Sequence, residues 1–146
     1  MDHVLPLLIE RAAALRDRQI AAMQHAQLAA GQAGATLTRL QSFRNDCLAR
    51  SAAGTLARTN ADALAGYQQF VTRLDDAIGL QSRETDARLA RAGEQRALLA
   101  DCERKLLAFE TLRRKRATAR NAREQRMLQR ESDEFAARAA RRSSGP

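Results

Sequence analysis

The sequence lacks the residue that most strongly interrupts helices. Its only two prolines, Pro6 and Pro146, lie at the two ends of the 146 residues. Proline in a helix interior costs about 3 kcal/mol, so the long stretch between them is free to be helical. Good helix formers dominate that stretch, and its apolar residues recur every three to four positions. The sequence therefore predicts an all-α protein of long helices, with disorder of the Arg-rich C-terminal third as the competing possibility.

Large apolar side chains and motifs built on cysteine are also scarce. The chain has no Trp, one Tyr and four Phe, so it lacks the side chains of an ordinary globular core. Cys47 and Cys102 are isolated, without C-x-x-C spacing, and we expect them to fill helix-packing positions rather than to form a disulfide. No stretch has the length of a secretory signal or a membrane span, so we expect a cytoplasmic protein.

No arrangement of side chains suggests catalysis. His3 and His25 have no Cys or carboxylate at metal-ligand spacing, and there is no glycine-rich phosphate loop or activated nucleophile. The neighbouring acids Asp75 and Asp76 point to different faces of a helix. We therefore predict a protein that is not an enzyme, with no metal and no cofactor, which works by holding partners.

Two apolar seams organise the chain. Steps of four and three from Leu8 to Cys47 meet ten apolar residues in twelve positions, and steps from Leu64 to Phe109 meet ten in fourteen. Between them, the segment 51–55 breaks the pattern, and Thr59-Asn60 offers a helix cap. We predict a single coiled-coil domain over residues 1–146, with helix 1 at about 5–50, a loop at about 51–59 and helix 2 at about 60–142.

A short loop makes the two helices an antiparallel coiled coil. Folding about the loop sets opposite each other residues whose numbers sum to about 110, which would place Phe43 near Tyr67. Helix 2 is longer than helix 1 and is expected to overhang at its C-terminal end, from about Leu106 onward. That segment is basic: residues 110–146 hold eleven Lys and Arg against five acids, while the whole chain has a net charge of +8.

Two patches go beyond what a two-helix seam requires. Phe70, Ala77 and Leu80 widen the apolar stripe of helix 2 near Phe43, which indicates either a locally thicker core or an exposed binding patch. Arginines from Arg113 onward recur at steps of three and four, which suits contact with carboxylates or phosphates. A solvated face is the alternative for these arginines. Nucleic acid is a third possibility, weakened by the absence of aromatic residues and by the acids in the same segment.

Several blocks of the sequence resemble one known family. They are Gly66-Tyr67-Gln68-Gln69-Phe70-Val71, Leu74-Asp75-Asp76-Ala77-Ile78, Leu106-Leu107-Ala108-Phe109-Glu110-Thr111-Leu112, Arg126-Met127, and Asp133-Glu134-Phe135-Ala136-Ala137-Arg138-Ala139-Ala140. In this order and separation they are similar to the FliJ family of the flagellar type III export apparatus. The resemblance extends over the whole chain.

The resemblance implies a non-enzymatic antiparallel coiled coil, similar to the central stalk of rotary ATP synthases. It implies insertion into the ring of the export ATPase FliI, promotion of ring assembly, and contact with the cytoplasmic domain of the export gate FlhA and with export chaperones. It implies no cofactor and no small-molecule substrate, and a cytoplasmic location, peripheral to the inner-membrane export apparatus. An equivalent stalk of a virulence injectisome is one alternative, and a basic helical nucleic-acid binder is another.

The resemblance also assigns residues to two surfaces. The expected gate-binding residues are Leu40, Phe43, Phe70, Leu74, Ala77 and Gln81. The expected ATPase-binding residues are Arg113, Arg116, Arg120 and Arg123.

Overall fold

The structure is a computed structural model that describes residues 3–51 and 61–145. Over these residues it contains two α-helices, α1 (Val4–Arg50) and α2 (Ala61–Ser143), and no strand. The all-α prediction and the greater length of the second helix are confirmed, since α1 has 47 residues and α2 has 83. The predicted helix bounds agree to within one residue. The predicted loop at 51–59 and the cap at Thr59-Asn60 lie outside the described residues, apart from Ser51.

The charges at three of the four helix ends favour the helices. Asp62 lies in the first turn of α2 and Arg141 in its last turn, where each opposes the partial charge of the helix end. Arg50 does the same at the end of α1. The first turn of α1 has no acidic residue. No side chain within that turn therefore offsets the partial positive charge at the start of α1.

The chain divides into two units, each containing a segment of both helices. The terminal unit combines Met1–Ala14 with Glu103–Pro146, and the central unit is Leu15–Cys102. Within the central unit the two helices run antiparallel, because residues early in α1 pair with residues late in the α2 segment. Two-helix packing is therefore confirmed as the architecture of the described residues.

Small side chains form much of the core of the central unit. Ala26, Ala30 and Ala33 of α1 are buried, and so are Thr85 and Ala92 of α2. Such residues bury little apolar area each, but they allow two helix backbones to approach closely. The core of this unit is consequently thin, and packing at each small position tolerates little added volume.

The seam predicted for α2 is confirmed by burial. Every predicted position from Tyr67 to Phe109 is buried or half-buried, and only the first one, Leu64, is exposed. Polar members of this seam are hydrogen-bonded, and among the described residues no buried side-chain nitrogen or oxygen lacks a partner. Gln81, Thr85 and Arg88, which weaken the apolar pattern in the sequence, are therefore tolerated by the packing.

The seam predicted for α1 is wrong at five of its twelve positions. Leu8, Leu15, Ala22, Thr36 and Phe43 are exposed instead of packed. The series that is buried or half-buried is Leu5, Ile9, Ala12, Arg16, Gln19, Met23, Ala26, Ala30, Ala33, Leu37, Leu40, Arg44, Cys47 and Ser51. The two series share alternate members, and the observed one includes two arginines. Counting apolar residues missed it because arginine can bury its stem and extend its charge outward.

Cross-helix hydrogen bonds fix the register of the central unit. The Gln19 Nε2 atom donates to the Gln95 carbonyl oxygen at 3.0 Å, Gln81 Nε2 donates to the Ala33 carbonyl oxygen at 3.1 Å, and the Tyr67 hydroxyl donates to the Cys47 carbonyl oxygen at 3.1 Å. These bonds recur every two heptads on both helices. Polar groups at seam positions select one alignment of a coiled coil over its neighbours, because any shift leaves them unpaired.

The observed register corrects the predicted one. The residue numbers of the three bonded pairs add up to 114 in each case, not to about 110. The difference of four residues is about one helical turn. Phe43 accordingly contacts Phe70, where the predicted register placed it near Tyr67. The error follows from the wrong α1 seam, which placed Phe43 at a packed position.

The two cysteines occupy seam positions in the central unit. Cys47 and Cys102 are both free and half-buried. No helix within the described ranges is long and apolar enough to cross a membrane.

Adjacent residues of α2 provide a paired test of this packing. At Gly93, an added Cβ would meet nothing within 4 Å, whereas Ala92 is 2% exposed. Gly93→Ala is expected to raise the free energy of unfolding by about 0.5–1 kcal/mol, through helix propensity and a less flexible unfolded chain. Ala92→Leu is expected to lower it by about 1–3 kcal/mol, because the added carbons overpack the seam.

Urea unfolding followed by circular dichroism measures both effects. The two variants differ by one position in the sequence, so they share the same local helix. Equal changes of stability in both variants would contradict the packing described for the central unit.

Candidate partner-binding surfaces

Two aromatic rings face solvent together in the central unit. Phe43 of α1 and Phe70 of α2 contact each other edge to face, with ring centroids 6.2 Å apart and ring planes at 85°. Phe43 is 50% exposed and Phe70 is 43% exposed. The edge-to-face contact holds each ring in place across the helix pair. This aromatic pair therefore presents a defined apolar surface to solvent.

On α2, the neighbours of the aromatic pair are more covered. Leu74, Ala77 and Gln81 follow Phe70 at intervals of four, three and four, so they lie along one side of the helix. Leu74 is buried, Ala77 and Gln81 are half-buried, and Gln81 is already bonded to the α1 backbone. On α1, Leu40 is half-buried as well. Of the six residues, the two aromatics offer most of the accessible surface.

Both interpretations of the wide apolar stripe hold in part. Tyr67, Val71, Leu74 and Ile78 are covered by the helix pair, which makes the core thicker near this point. Phe70 and Leu80 are exposed. The exposed part is therefore narrower than the stripe seen in the sequence.

An ion pair that sequence reasoning missed connects the two helices near the aromatic pair. The Arg44 Nε atom donates a hydrogen bond to the Asp75 carboxylate. That hydrogen bond, together with the negative charge of Asp75, raises the pKa of Arg44 above its ordinary value. Gln41, Asn45 and Ile78 line, with the ion pair, an open groove of about 400 Å³.

In the sequence, the only feature that could have indicated this ion pair is the position of Arg44 in the packed series of α1. Position 44 belongs to the buried series of α1, one heptad after Leu37. A charged residue at such a position needs a partner near the edge of the facing helix. The register had to be known before Asp75 could be identified as that partner.

The predicted arginines continue the seam of α2 in the terminal unit. From Phe109, steps of four, three, four and three lead to Arg113, Arg116, Arg120 and Arg123. All four are exposed, and none forms an ion pair within residues 3–51 and 61–145. We call these four residues the arginine seam. Their guanidinium groups share the helix face that packs inward at Leu106 and Phe109.

The start of α1 lies beside the arginine seam. Leu5 and Pro6 line a cavity of about 290 Å³ together with Arg113, Arg116, Ala117 and Arg120. Leu5 is 6% exposed, and Leu106 of α2 is also buried. The overhang predicted from Leu106 therefore begins later. Within this unit, every described residue from Leu112 to Gly145 is exposed except the half-buried Ala122, so α2 is largely uncovered from about Leu112 onward.

The comparison with protein families decides the family. The family model described as the flagellar FliJ protein matches residues 1–145. The chain belongs to the FliJ family. No curated protein and no solved structure matches it.

Membership of the FliJ family establishes the general role of the chain. FliJ proteins are components of the flagellar type III export apparatus. Their role in that apparatus is structural and not enzymatic. The two surfaces described above are accordingly candidates for protein contacts, one in each unit of this FliJ chain.

Proposed function

We propose that this FliJ family member is a stalk-like coiled coil that binds the ring of the export ATPase FliI and promotes its assembly. It also contacts the cytoplasmic domain of the export gate FlhA and export chaperones. Its place in the cell is the cytoplasm, at the periphery of the inner-membrane export apparatus. The proposal depends above all on one observation, namely that a FliJ chain carries two exposed and chemically unlike surfaces.

The arginine seam supports the ATPase contact. Arg113, Arg116, Arg120 and Arg123 are exposed along a single helix face and have no ion-pair partner among the described residues. Arginine forms bidentate hydrogen bonds with carboxylates, which fixes geometry as well as adding attraction. A surface of this kind favours an acidic protein partner.

The aromatic pair supports the gate contact. Phe43 and Phe70 are two of only four phenylalanines in the chain, and both are close to half exposed. Aromatic side chains at the centre of an interface contribute more binding energy than most other residues. Leu40 and Ala77 lie beside them and extend the apolar area by a smaller amount.

Ring assembly follows from the asymmetry of a two-helix chain. Ring subunits are identical, whereas the surface of α1 and α2 differs in every direction around the pair. A FliJ chain bound along the ring axis therefore presents a different face to each subunit. Its binding energy favours the assembled ring over free subunits, and it favours states in which the subunits differ from one another.

A pull-down with both partners tests the proposal. The immobilised FliJ chain is incubated with FliI and with the FlhA cytoplasmic domain, first separately and then together. We expect each protein to be retained alone, and both to be retained together, because the two surfaces belong to different units of the chain. Failure to retain either protein would refute the proposed function.

A further inference from the structure

The arginine seam occupies the positions through which a coiled coil binds its partner helix. In α2, the same heptad positions bear Leu99, Cys102, Leu106 and Phe109 before they bear the four arginines. The earlier positions are buried or half-buried, whereas the arginines are exposed. The helix face that contacts α1 in the terminal unit thus continues beyond the start of α1 without a covering helix among the described residues.

From this continuity we infer that the arginine seam binds an acidic α-helix of the partner, which continues the coiled coil where α1 begins. Carboxylates on that helix recur at steps of three and four. This inference rests on the ATPase-binding role proposed above, because the same four arginines would form both contacts.

Charge and geometry select this occupant over an apolar helix. An apolar helix would bury guanidinium groups without partners, which is strongly unfavourable. Side chains at seam positions insert between residues of the facing helix. A Glu or Asp at the corresponding positions of that helix would therefore meet an arginine at each layer, while the arginine stems supply apolar contact.

The seam is long enough for a helix of several turns. It continues from Arg123 through Met127 to Arg130, and both of these residues are exposed as well. The 17 steps from Arg113 to Arg130 correspond to roughly 26 Å of helix. Five of the six seam positions in this stretch bear arginine, so one apolar contact at Met127 lies among charged layers.

The start of α1 adds to the preference for an acidic partner. Leu5 and Pro6 border the arginine seam, and the first turn of α1 has no acidic residue. The positive end of that helix and the arginines therefore act in the same direction on an incoming group. An acidic side chain near Arg116 would be attracted by both.

Two synthetic peptides test the inference with the full chain. Both are helical, about 21 residues long, of equal composition and charge. In one, glutamates recur at steps of three and four, and in the other they are distributed around the helix. Fluorescence anisotropy at about 0.15 M salt measures binding. We expect the peptide with heptad spacing to bind about tenfold or more tightly, because its carboxylates meet several arginines at once.

Two charge-matched variants locate the binding face. One carries Arg113→Glu, Arg116→Glu, Arg120→Glu and Arg123→Glu. The other carries Arg114→Glu, Lys115→Glu, Arg126→Glu and Arg138→Glu, all at exposed positions off the seam. The seam variant should lose the preference for heptad spacing, and the off-seam variant should keep it. Circular dichroism establishes that both remain helical.

Equal affinity for the two peptides, or equal loss in the two variants, would overturn the inference. The ATPase rate of FliI, measured with and without the chain, separates this failure from that of the proposed function. If the chain stimulates FliI but does not distinguish the peptides, only the acidic helix is refuted. If it fails to bind or stimulate FliI, the proposed function itself is refuted.

Discussion

Charge reversal of the arginine seam is expected to abolish binding to the export ATPase. The variant replaces Arg113, Arg116, Arg120 and Arg123 by glutamate, which turns four attractive groups into four repulsive ones toward an acidic surface. Each exposed ion pair contributes up to about 1 kcal/mol, and reversal adds repulsion to that loss. We therefore expect FliI affinity to fall about 100-fold or more, with loss of ATPase stimulation.

The off-seam variant is the matched control for this prediction. It lowers the net charge by the same amount, from +8 to zero, by replacing with glutamate Arg114, Lys115, Arg126 and Arg138. If binding depended only on total charge, the two variants would lose affinity alike. We expect the off-seam variant to lose less than about tenfold, since its charges do not share the seam face. A titration of FliI followed by anisotropy measures both.

Removal of the aromatic pair is expected to abolish binding to the export gate. The double variant Phe43→Ala and Phe70→Ala removes two exposed rings that contact each other. Truncation of an aromatic hot-spot residue commonly costs about 2 kcal/mol or more, so the pair together should weaken FlhA binding about 100-fold. Stimulation of FliI should remain, because the arginine seam belongs to the other unit.

Stability separates a binding role of the aromatic pair from a packing role. Full burial would make the loss of each ring cost about 3–5 kcal/mol of folding free energy. Because both rings are close to half exposed, we expect a smaller loss and an intact helical spectrum. Leu28→Ala with Leu89→Ala, two exposed positions outside the aromatic pair, is the control. Equal FlhA binding by the aromatic variant and by this control would contradict the gate assignment.

The sequence contains most of the information for the fold. Absence of proline and a sustained three-to-four spacing predicted two long helices, and the observed bounds of α1 and α2 lie within one residue of that prediction. The α2 seam was also predictable, because large apolar residues such as Leu74, Leu99 and Leu106 mark it clearly. Local spacing was sufficient in both cases.

The register could not be predicted, for a physical reason. In α1, alanine occurs on several faces, so apolar counting gives two seams of similar score that share alternate positions. The choice between them depends on pairwise contacts across the helices, such as Gln19 with Gln95 and Gln81 with the Ala33 carbonyl. These are specific polar matches between distant residues, which periodicity within one helix does not contain.

The candidate surfaces were predicted as residues but not as geometry. The resemblance named Phe43, Phe70 and the arginines, and the structure places the two rings in contact. It also shows Leu74 to be buried, as its position in the α2 seam predicts, so this residue offers little surface to a partner. That the arginines occupy seam positions follows from extending the predicted α2 heptad past Phe109, whereas their exposure depends on where α1 lies along α2.

The ATPase rate of FliI, measured with increasing amounts of this FliJ chain, tests the central claim most directly. Light scattering on the same samples reports how much of the ATPase is assembled. If the chain holds the ring together, the rate rises to a plateau as ring assembly increases, and the seam variant produces neither change. An ATPase rate and an assembly state that stay constant at saturating FliJ would contradict the claim.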